Sequence, residues 1–161
     1  MKPANILVVE RDGELVPTLI DFGVARVLEP AGGPRGGAAL DLPPDGPCAE
    51  GTPVVTVDGA LVGTPAYMAP ELWQLDPVGP GADQYALALV VFEALAGRRA
   101  FSSDSLRRMA ALHHLAPLPR IGLDSHPAVD VVLARGAAKQ AEDRYPDVVA
   151  FAAALRAAAA R

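Results

Sequence analysis

Short β-branched runs open the chain. Residues 6–9 (ILVV) and 15–20 (LVPTLI) flank ERDGE, whose Asp12-Gly13 pair is a strong tight-turn signal. The pattern predicts a small β-hairpin, with Pro17 marking an edge or a strand end. From residue 70 onward the spacing turns helical. Pro70 suits a first helical turn. Residues 82–96 are apolar almost all round, the mark of a buried central helix, and Gly97 ends it. A more polar helix is predicted over Ser102 to Leu115, with Ser102, Ser103 and Asp104 as candidate caps. Another starts near Pro127 and turns Val129, Val132 and Leu133 inward. The last begins near Pro146 and runs through DVVAFAAALRAAAAR.

Residues 29–53 differ in kind. Gly and Pro dominate and no period emerges, which predicts an irregular loop. After it, VVTVDGALVGT predicts a second, weaker hairpin around Asp58-Gly59. The layout is a hairpin, a long loop, then four or five helices, without an internal repeat.

Bulk properties narrow the picture. The 161 residues suit one domain, and 51% are hydrophobic, rich for a soluble unit of this size. The formal charge is -5, and no basic run is present. That argues against nucleic acid or an anionic membrane as the main partner. The longest apolar stretch, YALALVVFEALAG, is too short to span a bilayer and carries Glu93. A single cysteine, Cys48, excludes an internal disulfide and fits a reducing, cytoplasmic compartment. His113 and His114 are adjacent, so on a helix they point about 100° apart and do not share a metal. No Cys/His cluster has zinc spacing.

The chemistry lies in three short segments. LIDFGVAR at 19–26 puts Asp21 at a strand end, with Gly23 freeing the backbone to turn. An exposed carboxylate there suits a metal-phosphate ligand; taken alone it reads equally as a solvated turn aspartate. KPAN at 2–5 is weaker still by itself. GTPAYMAPE at 63–71 is the third.

In this order, with DQYALALVVFEALAGRRAF at 83–101 and EDRY at 142–145, these segments resemble the eukaryotic-type serine/threonine protein kinases. The resemblance covers nearly the whole chain except the 29–53 loop. It implies an α+β fold: the large, C-terminal lobe of a protein kinase, mostly helical with a small hairpin, the N-terminal lobe absent. Residues 1–5 would end the catalytic loop, 6–20 form the hairpin, 21–71 the activation segment and 72–161 a helical subdomain. The motif His-Arg-Asp-x-Lys-Pro-x-Asn would place its catalytic aspartate before Met1.

By the same resemblance, Asn5 and Asp21 are the magnesium ligands and Lys2 contacts the transferred phosphoryl group of ATP. Lys2 and Thr64 match the serine/threonine branch, with Thr64 at the site where a protein substrate docks. Glu71 and Arg144 match the family's buried ion pair. Asp83 matches the aspartate that holds the catalytic-loop backbone. Thr52 and Thr56 are candidate phosphorylation sites or unmodified loop threonines. Helices that precede the catalytic loop in the family cover the central helix, so an exposed apolar patch on 82–96 is expected, with poor solubility.

Ala88 stands where the family usually has Gly, and Ala100 where Pro is usual. The resemblance therefore implies phosphoryl transfer from ATP to Ser/Thr by the family, with this stretch alone inactive. The competing reading is a non-catalytic interaction module. Retention of Lys2, Asn5 and Asp21 together favours kinase ancestry over long service as a scaffold.

Overall fold

A computed structural model describes residues 1–20, 64–74, 78–122 and 126–160. Strands β1 (Ile6–Arg11) and β2 (Glu14–Leu19) form an antiparallel pair in which Ile6 faces Leu19 and Arg11 faces Glu14. The turn works because Asp12 and Gly13 both take positive φ, 53° and 79°. Consecutive left-handed residues match the twist of the flanking strands. Pro17 sits opposite Val8.

The rest of the described chain is helical: α1 (Pro70–Trp73), α2 (Gly81–Ala96), α3 (Leu106–Leu115), α4 (Pro127–Gly136) and α5 (Val148–Ala159). The α+β arrangement expected from the sequence is the one observed. Short 3-10 turns cover Pro3–Asn5, Pro65–Tyr67 and Ala141–Asp143. The loop at 29–53, the second hairpin around Asp58-Gly59, Thr52, Thr56, Cys48 and Asp21 lie outside the described residues.

Helix α2 is the axis of the core. Tyr85, Ala88, Leu89 and Phe92 are sealed from solvent, and α4, α5 and the 65–67 turn pack around them. Gly97 ends the helix at φ 65°, where a side chain would be strained, and its N–H bonds the Glu93 carbonyl. Gln84, also buried, makes a two-point contact. Its Nε2 donates to the Tyr145 carbonyl at 3.1 Å and its Oε1 accepts from the Tyr145 N–H at 2.9 Å. Helices α4 and α5 approach closely at Gly136, against the fully buried Phe151 ring.

Three expectations need correction. Helix α3 starts at Leu106, not Ser102, because Ser105 is the cap; its Oγ accepts from the Arg108 N–H. Ser103 instead accepts from the Ser105 N–H, holding the chain extended just before the helix. Helix α5 starts at Val148, capped by Asp147 through the Ala150 N–H, so Pro146 lies outside it. The apolar patch expected on 82–96 is also not there. Leu95 is the one large apolar side chain exposed on α2, since α4, α5 and the 65–67 turn wrap the helix. Exposed large apolar side chains are spread instead over the hairpin, at Leu7, Val8, Leu15 and Val16, and over α3, α4 and α5, at Leu115, Val131, Val148 and Val149. No helix among the described residues is long and apolar enough to cross a membrane.

Candidate functional site

The hairpin mouth carries the first group of residues. Pro3 opens the 3-10 turn, in which the Asn5 N–H bonds the Lys2 carbonyl at 3.0 Å. The Asn5 carbonyl then accepts from the Ile20 N–H at 2.9 Å. This extends the pairing one step beyond Ile6 and Leu19, so Asn5 lies across from Ile20, the residue just before Asp21. Lys2 and Asn5 are half-buried. Asn5 carries an amide oxygen, a hard donor of the kind magnesium accepts while keeping much of its shell for water and phosphate; Asp21 lies outside the described residues.

The second group runs from Thr64 to Trp73. Thr64 is half-buried and its carbonyl accepts from the Tyr67 N–H at 3.1 Å. Residues 65–70 are buried. Tyr67 Oη donates to Glu93 Oε2 at 2.5 Å, fastening this segment to α2. Burial first, and the Glu93 carboxylate second, push the Tyr67 hydroxyl up to about 12. Trp73 Nε1 donates to the Met68 carbonyl at 3.3 Å.

Glu71 and Arg144 meet although 73 residues separate them. Arg144 Nη1 and Nη2 donate to the two Glu71 carboxylate oxygens at 2.7 and 2.8 Å. Arg144 Nε donates to the Ala138 carbonyl at 2.9 Å, and the guanidinium lies 5.1 Å from the Tyr85 ring centre. A planar, always-charged fork is what this geometry needs, and Lys does not supply it. Gly81 keeps the approach open: a Cβ there would sit 3.3 Å from Nη1.

Asp83 is exposed in the first turn of α2, and its carboxylate makes no hydrogen bond among the described residues. Among the described residues, no side-chain hydrogen bond or ion pair joins Lys2 or Asn5 to Thr64, Glu71, Asp83 or Arg144. Of the candidate residues, the structure thus brings Glu71 and Arg144 into contact and places Asn5 at the mouth of the hairpin.

Sequence reasoning missed a second buried polar group. His113 is inaccessible to solvent, and its Nδ1 lies 2.9 Å from Tyr85 Oη. Its ring packs edge-on against Phe101, 5.0 Å between centres, and near Trp73. Burial, then the nearby Lys139 charge, lower His113 to about 3; the Pro65 carbonyl opposes this weakly, yet Nε2 closes no hydrogen bond. Burial likewise raises Tyr85, so a protonated tyrosine and a neutral imidazole share this hydrogen bond, its donor set by the imidazole tautomer. The Tyr67–Glu93 link did have a signal. Glu93 is the single acid in an apolar run, and a lone acid there needs a buried donor.

Comparison with known proteins places these features in a family context. The protein kinase domain family model matches residues 1–132. The serine/threonine-protein kinase Pkn1 of Myxococcus xanthus is 33% identical over 165 residues, 99% of this chain and 21% of that protein. The serine/threonine-protein kinase PknD of Mycobacterium tuberculosis is 37% identical over 149 residues, 90% of this chain and 19% of that protein. The chain thus spans about a fifth of the length of these relatives. Among solved structures, the Mycobacterium tuberculosis PknI kinase domain superposes with a TM-score of 0.60 at 23% identity. That match covers 99% of this chain and 44% of the other, and what it shares is the fold.

Proposed function

Because the chain belongs to the protein kinase family, we propose that it supplies the metal-binding and substrate-docking part of a serine/threonine kinase catalytic domain. One observation carries this reading: the Asn5 carbonyl to Ile20 N–H bond, which sets Asn5 beside the strand end that leads into Asp21. In this proposal Asn5 and Asp21 hold the magnesium of ATP, and Lys2 approaches the transferred phosphoryl group. Magnesium held there would supply positive charge that offsets the charge developing on the phosphate oxygens. Lys2 adds a positive charge aimed at the equatorial oxygens. Thr64 contributes to docking of the Ser/Thr substrate, in a segment that Tyr67 pins to Glu93. Glu71, Arg144 and Asp83 support the platform.

The same proposal makes the 161 residues inactive by themselves. Positioning by a general base is worth about 10²–10⁴-fold. The family motif places that base before Lys2, and the lobe that orients ATP precedes it as well. The test assays two proteins with ATP and a generic Ser/Thr substrate: this chain, and the chain extended through the in-frame codons upstream. Activity in the extended protein alone, abolished by Asp21→Ala, supports the reading. Asp21-dependent activity in the 161-residue chain refutes the inactivity. Inactivity of an extended protein that encodes His-Arg-Asp and a full small lobe favours an interaction module. Cytoplasmic localisation belongs to the same proposal.

A further inference from the structure

The chain contains two lysines, Lys2 and Lys139. Lys139 follows α4, and its Nζ lies 4.8 Å from the Phe101 ring centre and 5.7 Å from that of Tyr85. Both rings are buried. Among the described residues no carboxylate pairs with this ammonium. Glu71, which lines the same cavity as Lys139, already gives both oxygens to Arg144.

Lys139 also lines a cavity of about 220 Å³ between α1, α3 and the 141–143 turn, with Glu71, Gln74, His114 and Glu142 around it. The amine is therefore partly dried and unpaired, and its residue borders a space that admits a small molecule. The charged and titratable groups facing it are Arg144, Glu71 and Glu142, the imidazoles of His113 and His114, and the Tyr85 hydroxyl. Burial, then the Arg144 guanidinium, lower the amine to about 8. Near neutral pH a fraction of it carries a free lone pair, where an ordinary lysine at about 10.4 carries almost none.

We propose that Lys139 is a site of N-acylation by small acyl phosphates. The Nζ lone pair attacks the carbonyl carbon and a C–N bond forms. The C–O bond to phosphate breaks, and phosphate leaves with its electron pair. The proton shed by nitrogen passes to water, and no oxidant or reductant is required. The amide product is neutral, so acylation removes the cation above Tyr85 and Phe101 and the positive neighbour of Arg144 and His113.

The test incubates the intact 161-residue chain with acetyl phosphate from pH 6 to 10, with Nα-acetyl-lysine amide as an internal tracer. Peptide mapping by mass spectrometry separates Lys139 from Lys2 and the N-terminus. The expected result is Lys139 acetylation roughly tenfold faster than the tracer at pH 7.5, with the rate levelling off above pH 8. In guanidinium chloride that advantage disappears. A Lys139 rate at or below the tracer's across the pH range overturns the proposal. So does an advantage that survives denaturation, since it would come from local sequence and not from the fold.

Discussion

Arg144 grips Glu71 with both terminal nitrogens, at 2.7 and 2.8 Å, from a side chain with no solvent exposure against one with 14%. A surface ion pair is worth at most about 1 kcal/mol. A buried one differs because removing one partner strands the other charge, at a cost of about 3–5 kcal/mol. Arg144→Ala should therefore lower Tm by roughly 6–20 °C for a domain of this size. Arg144→Lys should recover only part, since an ammonium cannot bond both oxygens and Ala138 at once. Thermal melts by circular dichroism decide; an unchanged Tm in Arg144→Ala would show that the pair contributes nothing to stability.

Gly136 gives a sharper packing test. A Cβ there would lie 2.7 Å from Phe151 Cε2, inside any real contact. Alanine normally gains about 1 kcal/mol over glycine within a helix. Here the ring cannot swing aside, because Phe151 is fully buried and Tyr145 stands 5.7 Å away. Overpacking costs about 1–3 kcal/mol, so Gly136→Ala should be net destabilising. Pairing it with Phe151→Leu should relieve the clash. Urea midpoints for the four proteins of that cycle give the coupling, and purely additive losses would contradict the contact.

Acid should expose His113. Its folded-state value is lowered to about 3, against 6.5 when free. Between those limits the unfolded chain binds the proton and the folded chain does not. Stability therefore rises with pH across that window and falls as pH drops from 6.5 toward 3. One such group contributes a slope approaching 1.4 kcal/mol per pH unit. Carboxylates add their own acid response, so the informative quantity is the difference between the native chain and His113→Phe. The variant should show a shallower loss between pH 6 and 4 in denaturant titrations. Parallel curves would mean that His113 takes up its proton without unfolding.

Metal dependence follows from the proposed roles of Asn5 and Asp21. Two side-chain ligands and half a cleft predict no measurable magnesium–ATP binding by the 161-residue chain at micromolar concentrations. Isothermal calorimetry checks this directly, and a micromolar Kd would overturn it. In an active, extended protein, Asn5→Ala should raise the magnesium concentration needed for half-maximal rate.

Much of the architecture was legible because local chemistry dictates it. Asp12-Gly13 takes the two left-handed conformations its turn requires, and Gly97 and Pro127 stop and start helices where they stand in the sequence. The start of α3 was not. Ser102, Ser103, Asp104 and Ser105 are all competent caps, and the choice falls to Ser105 because Ser103 Oγ already accepts from the Ser105 N–H, leaving Ser105 Oγ to accept from Arg108. The candidate site was readable as motifs, since Asn5, Asp21, Thr64 and Glu71 belong to short conspicuous strings. What joins them was not. Tyr85 with His113, and Tyr67 with Glu93, pair over 28 and 26 residues, and no local spacing encodes a partner that far away.

Gln84 offers Tyr145 one donor and one acceptor, and the Tyr145 peptide returns the complement, much as two nucleobases recognise each other by edge. The match is with backbone, so it is indifferent to which side chain stands at 145. The Tyr145 ring is left to other neighbours, Phe151 and the Arg135 guanidinium 4.3 Å from its centre. One residue is thus addressed twice: its peptide by α2 and its ring by α4 and α5. Position 84 becomes the selective one. Glutamate there would turn an acceptor toward a carbonyl, and leucine would leave both peptide groups dry and unpaired. A change at 145 should loosen the ring contacts while the chain stays in register, whereas a change at 84 should release the register itself, and Arg144 beside it.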